Sequence, residues 1–268
     1  MPEMTDFATL LFERRDGAAF VTLNRPQSRN AMSLEMVREL IAALDEAQQT
    51  GARMVVLQGA GGHFCSGGDI KDMSAPPPGG GETDPIIEVS TRFGQMCAIY
   101  GASDLPIVAV VEGAVMGGGF GLACVADATI ARETAVFRLP ETSLGLVPAQ
   151  IEPFLLERLG YSQAKRLSVT GGEVTAQEAL EIGLVHFLCD GVQETEARLI
   201  QVMQDIRKCA PNAVAATKRL LRKGRNAEPA DLIGHAAEVF TAAVRSDEGA
   251  EGMTAFIEKR PAKWAVSE

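Results

Sequence analysis

Alternation opens the chain. Residues 9–23 (TLLFERRDGAAFVTL) switch between apolar and polar positions on either side of Asp16-Gly17, which predicts two antiparallel strands joined by a two-residue turn. A helical period follows. After Ser33, Leu34, Val37, Leu40, Ile41 and Leu44 recur at spacings of three and four, with Ser33 as the cap and Gly51 as the stop. MVVLQG (54–59) predicts a short buried strand running into AGGHFCSGGD. PIIEVSTRFGQMCAIYGAS predicts a helix, IVAVVEG (107–113) a buried strand, and the run from Gly117 the start of another helix.

Strands and helices in turn predict an α/β core with helices packed on the sheet. From about residue 153 the apolar period is helical over 153–170, 175–183, 192–222 and 230–258, with no long strand, no internal repeat and no second core. APPPGGGETD (75–84) is too rich in Pro and Gly to pack and is expected as a surface loop.

Composition narrows the function classes. A chain of 268 residues, 46% hydrophobic and 22% charged, can bury a substantial core, and it has no apolar run long enough to span a bilayer. MPEMTDFATLLFERRDG lacks the basic flank, apolar block and cleavage site of a secretory signal, so a soluble, cytoplasmic protein is expected. Cys65, Cys97, Cys124, Cys189 and Cys209 are scattered without ligand spacing, which predicts free thiols and no metal site. The net charge of −10 argues against nucleic acid and anionic membranes as partners, so any anionic ligand must be held by local donors.

Two stretches share one design. A short apolar strand runs into FCSGGDI (64–70) and again into VMGGGFGLA (115–123), each presenting consecutive backbone N–H groups with few side chains in the way. Glycine lets a ligand oxygen approach such an amide, and two amides from two loops would form an oxyanion hole that polarises a carbonyl. Tight turns or close helix packing would also account for either cluster alone. GGGFG matches neither the dinucleotide fingerprint nor the P-loop. His63, His186 and His235 show no nucleophile or metal spacing, and Ser66 has no GxSxG elbow, so these read as structural or solvated.

Six segments carry a resemblance over essentially the whole length: NRPQSRNAM (24–32), HFCSGGDIKDM (63–73), EGAVMGGGFGLACVADATIA (112–131), FRLPETSLGLVPA (137–149), TAQEALEIGLV (175–185) and SDEGAEGMTAFIEKR (246–260). The chain resembles the enoyl-CoA hydratase/isomerase (crotonase) superfamily. The resemblance implies an α/β, crotonase-like spiral of ββα units, with a core over 1–195 that holds CoA and the active site. It also implies a helical C-terminal trimerisation region over 196–268 and a homotrimer or dimer of trimers. Gly68 and Gly118 would be the oxyanion donors. Coenzyme A would lie against Cys65, Ser66 and Gly68, with Arg29 and Lys71 near its phosphates and Phe256 and Lys259 reaching in from a neighbouring subunit. The CoA thioester is then the substrate, with no separate cofactor.

Hydratases of this superfamily that use two glutamates carry one acid three positions after the middle glycine and another twenty further on. Here those positions are Gly121 and Glu141. A single carboxyl is compatible with hydration through a relayed water, and equally with a shift of the double bond between positions 3 and 2. GGGFGL combined with PETSLGLVPAQI resembles the bacterial hydratases of branched glutaconyl-CoA substrates, the methylglutaconyl and isohexenylglutaconyl types of leucine and acyclic-terpene breakdown, which also lack the first acid. The implied activity is hydration of such a thioester. The enoyl-CoA isomerase reaction is the rival, and a CoA-ligand-binding protein is the reading outside catalysis. An acid at 121 would crowd and repel a substrate that is branched at C3 and carries a second carboxylate, so Gly121 is expected to leave room. Ser143 is placed either to bond Glu141 or, as is usual for a serine in such a loop, to hold the loop itself, and Gln150 is a candidate to reach the substrate carboxylate.

Overall fold

Asp16 and Gly17 both take positive φ (51° and 70°), the backbone that a tight hairpin requires, and join β1 (Leu10–Arg15) to β2 (Ala18–Leu23) as expected. The computed structural model describes residues 6–69, 71 and 84–266, so the 75–84 loop lies outside it except for Asp84. Ser33 Oγ accepts the Met36 N–H at 3.2 Å and starts α1 (Leu34–Gln49). β3 (Met54–Gly59) follows. Asp84 caps α2 (Pro85–Ala102) in the same way, accepting the Ile86 N–H at 2.9 Å.

The strand expected over 107–113 is two strands. β4 (Ile107–Val111) ends, Gly113 turns with φ 53°, and β5 (Ala114–Met116) continues in a different sheet. A Cβ at Gly113 would lie 2.2 Å from the Gly62 carbonyl oxygen, so this corner requires glycine. α3 (Gly118–Val125) opens where the glycine run predicts a helix, and β6 (Ala128–Arg132) and β7 (Val136–Arg138) follow. Next come α4 (Glu152–Thr170), β8 (Glu173–Thr175), α5 (Ala176–Glu181), β9 (Phe187–Cys189) and α6 (Gly191–Lys208).

The larger sheet has the order β1-β2-β3-β4-β6-β9 and is parallel beyond the hairpin; the smaller is β5-β7-β8. Alternate residues of the central strands face opposite layers. Ala18, Phe20, Met54, Val56, Val108 and Ile130 pack against Leu199 and Met203 of α6. Val21, Leu23, Val55, Leu57 and Ala109 face the main core, with Met36, Leu40 and Leu44 of α1 and Phe120 and Leu122 of α3. This is the crotonase-type α/β fold.

The helical tail is more divided than its apolar period suggests. The 192–222 run breaks before Pro211, which starts α7 (Pro211–Gly224), and the 230–258 run breaks at Ser246 between α8 (Pro229–Val244) and α9 (Asp247–Glu258). The division expected at 195/196 falls inside α6, whose Thr195, Leu199 and Met203 are buried; the helix-only part starts at α7. α8 has no buried residue even though it carries Ile233, Val239, Phe240 and Val244. No described helix is long and apolar enough to cross a membrane.

Candidate active site

The two glycine stretches meet. Phe64 N–H donates to Glu112 O, Cys65 N–H to Ala114 O and Met116 N–H to Cys65 O, each at 2.9 Å, so the loop after β3 lies as a short parallel bridge beside β5. Contact is made at glycine. A Cβ on Gly119 would sit 2.6 Å from Cys65 Cβ, and one on Gly67 would sit 3.5 Å from the Met116 carbonyl oxygen.

Gly118 is the first residue of α3, and the first-turn amides of a helix have no intrahelical acceptor. Gly68 lies between two rungs, Met32 N–H to Gly67 O at 2.8 Å and Asp69 N–H to Met32 O at 2.9 Å. Among the described residues, neither the Gly68 nor the Gly118 amide donates to a protein acceptor. Both donors are free for a ligand oxygen, and the positive end of the α3 dipole stands behind Gly118.

Glu141 follows β7 on a short 3-10 turn (Glu141–Leu144) and reaches the start of α3: a Cβ on Gly117 would lie 2.8 Å from its Oε1. Its Oε2 is buried without a hydrogen-bond partner among the described residues. Burial pushes this carboxyl above the ordinary glutamate value, its own backbone amide pulls it down, and Glu152 adds to the rise. A half-buried acid with one buried, unpaired oxygen and a raised proton affinity suits proton transfer at a bound substrate.

Gly121 does not open a space. It is buried, and a Cβ there would lie 3.2 Å from both Ile151 Cγ1 and Phe93 Cζ; one on Gly118 would lie 3.1 Å from Phe93 Cε2. The position of the absent acid is therefore walled by Phe93 of α2 and by Ile151. Nothing in the local sequence around Phe93 marks it for this contact, which only the packing of α2 over α3 creates. Ser143 Oγ donates to Pro140 O at 2.6 Å and not to Glu141, because it closes its own turn. Gln150 Nε2 donates to Ser90 Oγ at 3.2 Å, and its side chain covers Gly94 of α2, so it is committed to packing.

The residues expected around CoA divide into three sets. Ser66 and Arg29 are brought together: Ser66 N–H donates to Arg29 O and its hydroxyl to Ser28 O, both at 3.0 Å, which leaves the Arg29 side chain exposed beside the Gly68 loop. Lys71 is exposed three residues beyond Gly68, with its N–H on Asp69 Oδ1 at 3.1 Å. Cys65 lies beneath the loop; it is fully buried, both backbone groups are used in the bridge, and burial pushes its thiol up to about 11. Phe256 and Lys259 lie on and just after α9, which packs on α8; Phe256 is 86% exposed, and Lys259 ends the helix in left-handed backbone. Among the described residues, no hydrogen bond or ring contact joins these two to the glycine loops of their own chain. His63 and His186 each accept a backbone N–H through Nδ1, from Ala114 at 3.0 Å and Thr129 at 2.9 Å.

Comparison with known proteins agrees with this fold. A family model described as enoyl-CoA hydratase/isomerase matches residues 13–267. The fold is similar to the crystal structure of an enoyl-CoA hydratase/isomerase from Marinobacter aquaeolei, with a TM-score of 0.92 and 47% identity over 96% of this chain and 99% of that one. It is similar to Pseudomonas aeruginosa AtuE, with a TM-score of 0.91 and 48% identity over 96% of this chain and 100% of that one. Enoyl-CoA hydratase EchA19 of Mycobacterium tuberculosis is 33% identical over 255 residues, covering 93% of this chain and 94% of the relative. The chain belongs to the enoyl-CoA hydratase/isomerase family, as a hydro-lyase of crotonase fold that acts on CoA thioesters.

Proposed function

We propose that the protein hydrates the 2,3 double bond of a branched glutaconyl-CoA thioester, of the isohexenylglutaconyl or methylglutaconyl kind, with Glu141 as its one proton-transfer group. The observation that carries this reading is the lone Glu141 carboxyl at the mouth of α3 opposite an apolar wall at Gly121. The thioester oxygen binds the Gly68 and Gly118 amides, which favours negative charge on that oxygen over neutral carbonyl. The ionised Glu141 takes a proton from a water as it adds at C3, and the same carboxyl then delivers a proton to C2, so the acid ends as it began. No fixed carboxylate stands at position 121 to repel the substrate's second carboxylate, and the C3 branch lies against the half-buried Phe93, with Ile151 packed behind it. The motifs GGGFGL and PETSLGLVPAQI support this substrate class.

CoA is held by Ser66, the Gly68 loop, Arg29 and Lys71, with Cys65 as the floor, and a neighbour's Phe256 and Lys259 complete the site. The apolar side chains left exposed on α8 and the exposed Phe256 support assembly into a homotrimer or dimer of trimers, and the protein is placed in the cytoplasm. Incubation with a panel of enoyl-CoA thioesters, glutaconyl ones included, tests the reading: a mass gain of one water, largest in kcat/KM for a branched glutaconyl thioester, is expected. Preference for crotonyl-CoA would overturn the substrate assignment. Conversion of a 3-enoyl thioester to its 2-isomer, with no oxygen taken up from labelled water, would favour the isomerase.

A further inference from the structure

Apart from Arg29 and the Ser28 carbonyl, NRPQSRNAM plays no part in the chemistry above, yet it carries a buried polar network. Asn30 is fully buried; its Nδ2 donates to Ala60 O at 2.9 Å and His63 O at 2.7 Å, and its Oδ1 accepts the Arg25 N–H at 2.8 Å. Its backbone N–H donates to Arg25 O at 2.9 Å. Every polar atom of the side chain is used, so Asn30 fastens the 24–32 segment to the loop that carries Gly68.

Arg25 reaches further along the same loop. Its Nη1 donates to Ala31 O at 2.5 Å, and its Nη2 pairs with Asp69 Oδ2 at 2.8 Å, the two side chains being 21% and 12% exposed. Burial pushes the Asp69 carboxyl up, and the bonds from Arg25 and the Lys71 amide more than offset this, holding it below the ordinary value. Asp69 directly follows Gly68, and its own N–H is one of the two rungs that bracket that residue. An unpaired carboxylate one residue from an oxyanion donor would oppose the charge the donor must stabilise. Paired, it serves as a hook.

We propose that Arg25 and Asp69 form a positioning pair that fixes the direction of the Gly68 amide, with Asn30 as its anchor. The proposal rests on the reading of Gly68 as an oxyanion donor. Its consequence lies in kcat, because the amide matters most when charge has developed on the thioester oxygen. Loss of an oxyanion donor costs about 10²–10³ in kcat, and a displacement of about 1 Å costs about 10². Asp69→Asn and Arg25→Gln are each expected to lower kcat by about 10–100-fold with KM within about threefold. The double variant should be no worse than the poorer single, since both remove one unit, and Arg25→Lys should recover part of the loss.

The test is steady-state kinetics on these variants with whichever enoyl-CoA the wild type hydrates, alongside unfolding temperatures. It is joined by the infrared carbonyl stretch of that thioester, labelled with ¹³C at C1, bound to Glu141→Gln with and without Asp69→Asn. The stretch should fall on binding to Glu141→Gln and fall less when Asp69→Asn is added. No fall in Glu141→Gln alone would overturn the oxyanion-hole reading itself. A full fall in the Asp69→Asn background, or a kcat that is unchanged or raised in Asp69→Asn, would overturn the positioning role and leave that reading intact. Additive losses in the double variant that track a lowered unfolding temperature would show a purely structural role and overturn the proposal as well.

Discussion

Placing a glutamate at position 121 puts the apolar wall to the test. In Gly121→Ala the added methyl would lie 3.2 Å from Ile151 Cγ1 and Phe93 Cζ and 3.6 Å from Ile151 Cγ2, all side-chain tips that can give by a few tenths of an ångström. The helix gains about 1 kcal/mol from losing a glycine, against an overpacking cost of about 1 kcal/mol, so alanine should be close to neutral. Gly121→Glu must place one further methylene and a carboxyl beyond that Cβ in the same buried position. Overpacking of about 1–3 kcal/mol and an unpartnered buried polar group of about 1–3 kcal/mol, less the helix gain, leave a net loss of about 3 kcal/mol. Phe93→Ala also destabilises, but it removes the ring that the new side chain strikes. The Gly121→Glu/Phe93→Ala double variant should therefore be more stable than the sum of its singles by at least about 1 kcal/mol. Urea unfolding at fixed protein concentration, followed by far-ultraviolet circular dichroism, measures all four proteins. Hydration by Gly121→Glu should fall more on a glutaconyl thioester than on crotonyl-CoA. A Gly121→Glu protein as stable as Gly121→Ala and additive with Phe93→Ala would refute the placement of Phe93 and Ile151 against this glycine.

Glu141→Gln keeps shape and removes the proton, so hydration should fall by at least about 10²-fold; near-normal turnover would remove Glu141 from the mechanism. Burial raises the Glu141 carboxyl in the folded chain, so the wild type loses stability as pH rises from the ordinary glutamate value through the raised one. The Gln variant should gain on the wild type across that window and run parallel above it, which melts over pH 4–8 would show as a difference that grows and then levels. Gly119→Ala should cost stability sharply, because its methyl would meet Cys65 at Cβ (2.6 Å) and carbonyl oxygen (2.9 Å), neither of which can swing away. A melting temperature within about 1 °C of wild type would contradict that contact. Arg29→Gln and Lys71→Gln should each weaken CoA binding by about 2–5-fold at low salt and less at high salt, read by titration calorimetry. Loss of hydration at saturating substrate would show that they do more than hold phosphates.

Elements whose stability is local were legible before the fold was seen. Asp16-Gly17 states its own turn, Ser33 its own cap, and the period from Leu34 to Leu44 the buried face of α1, and each appears where the pattern puts it. β7, β8 and β9 have three residues each, too short for any period to register; they exist because neighbours supply their hydrogen bonds. Gly113 reads as one more residue in an apolar run until the Gly62 carbonyl is seen to occupy the space of a Cβ. Pro211 and Ser246 did carry break signals, a proline at a first helical position and a capping serine, which the continuous apolar period masked. At the proposed site, the glycine clusters stood out in the sequence by composition, whereas Glu141 in LPETS reads as an ordinary loop acid and was singled out only by the spacing the family resemblance supplies. Phe93 was not, since a phenylalanine on an amphipathic helix looks the same whether it faces a core or a substrate.

What joins Glu141 to the Gly118 amide, one of the proposed oxyanion donors, is the register of the small sheet. β5 pairs with β7 so that Ala114 lies beside Val136 and Met116 beside Arg138, and Gly117 N–H extends the ladder to Arg138 O at 3.0 Å. Both strands then end together. Gly118 is two residues past one paired position and Glu141 three past the other, so the ladder alone carries the carboxyl to the first turn of α3. The far side is tied down as well. β8 pairs antiparallel with β7, Arg138 Nε donates to Gly171 O at 2.8 Å, and Thr142 Oγ1 donates to Ser168 O at 3.1 Å. A slip of one residue in β7 would turn Phe137 out of the core and move Glu141 to the opposite face. Phe137 is fully buried edge-on to Phe120 of α3, with ring centroids 5.7 Å apart, so the same aromatic contact that fills the core also fixes the start of the turn that carries Glu141. In this fold the acid proposed for catalysis is aligned by the packing of Phe137, four residues before it, and the spacing between the glycine run and Glu141 is the length of chain needed to leave the first strand, cross β6 and return along the second.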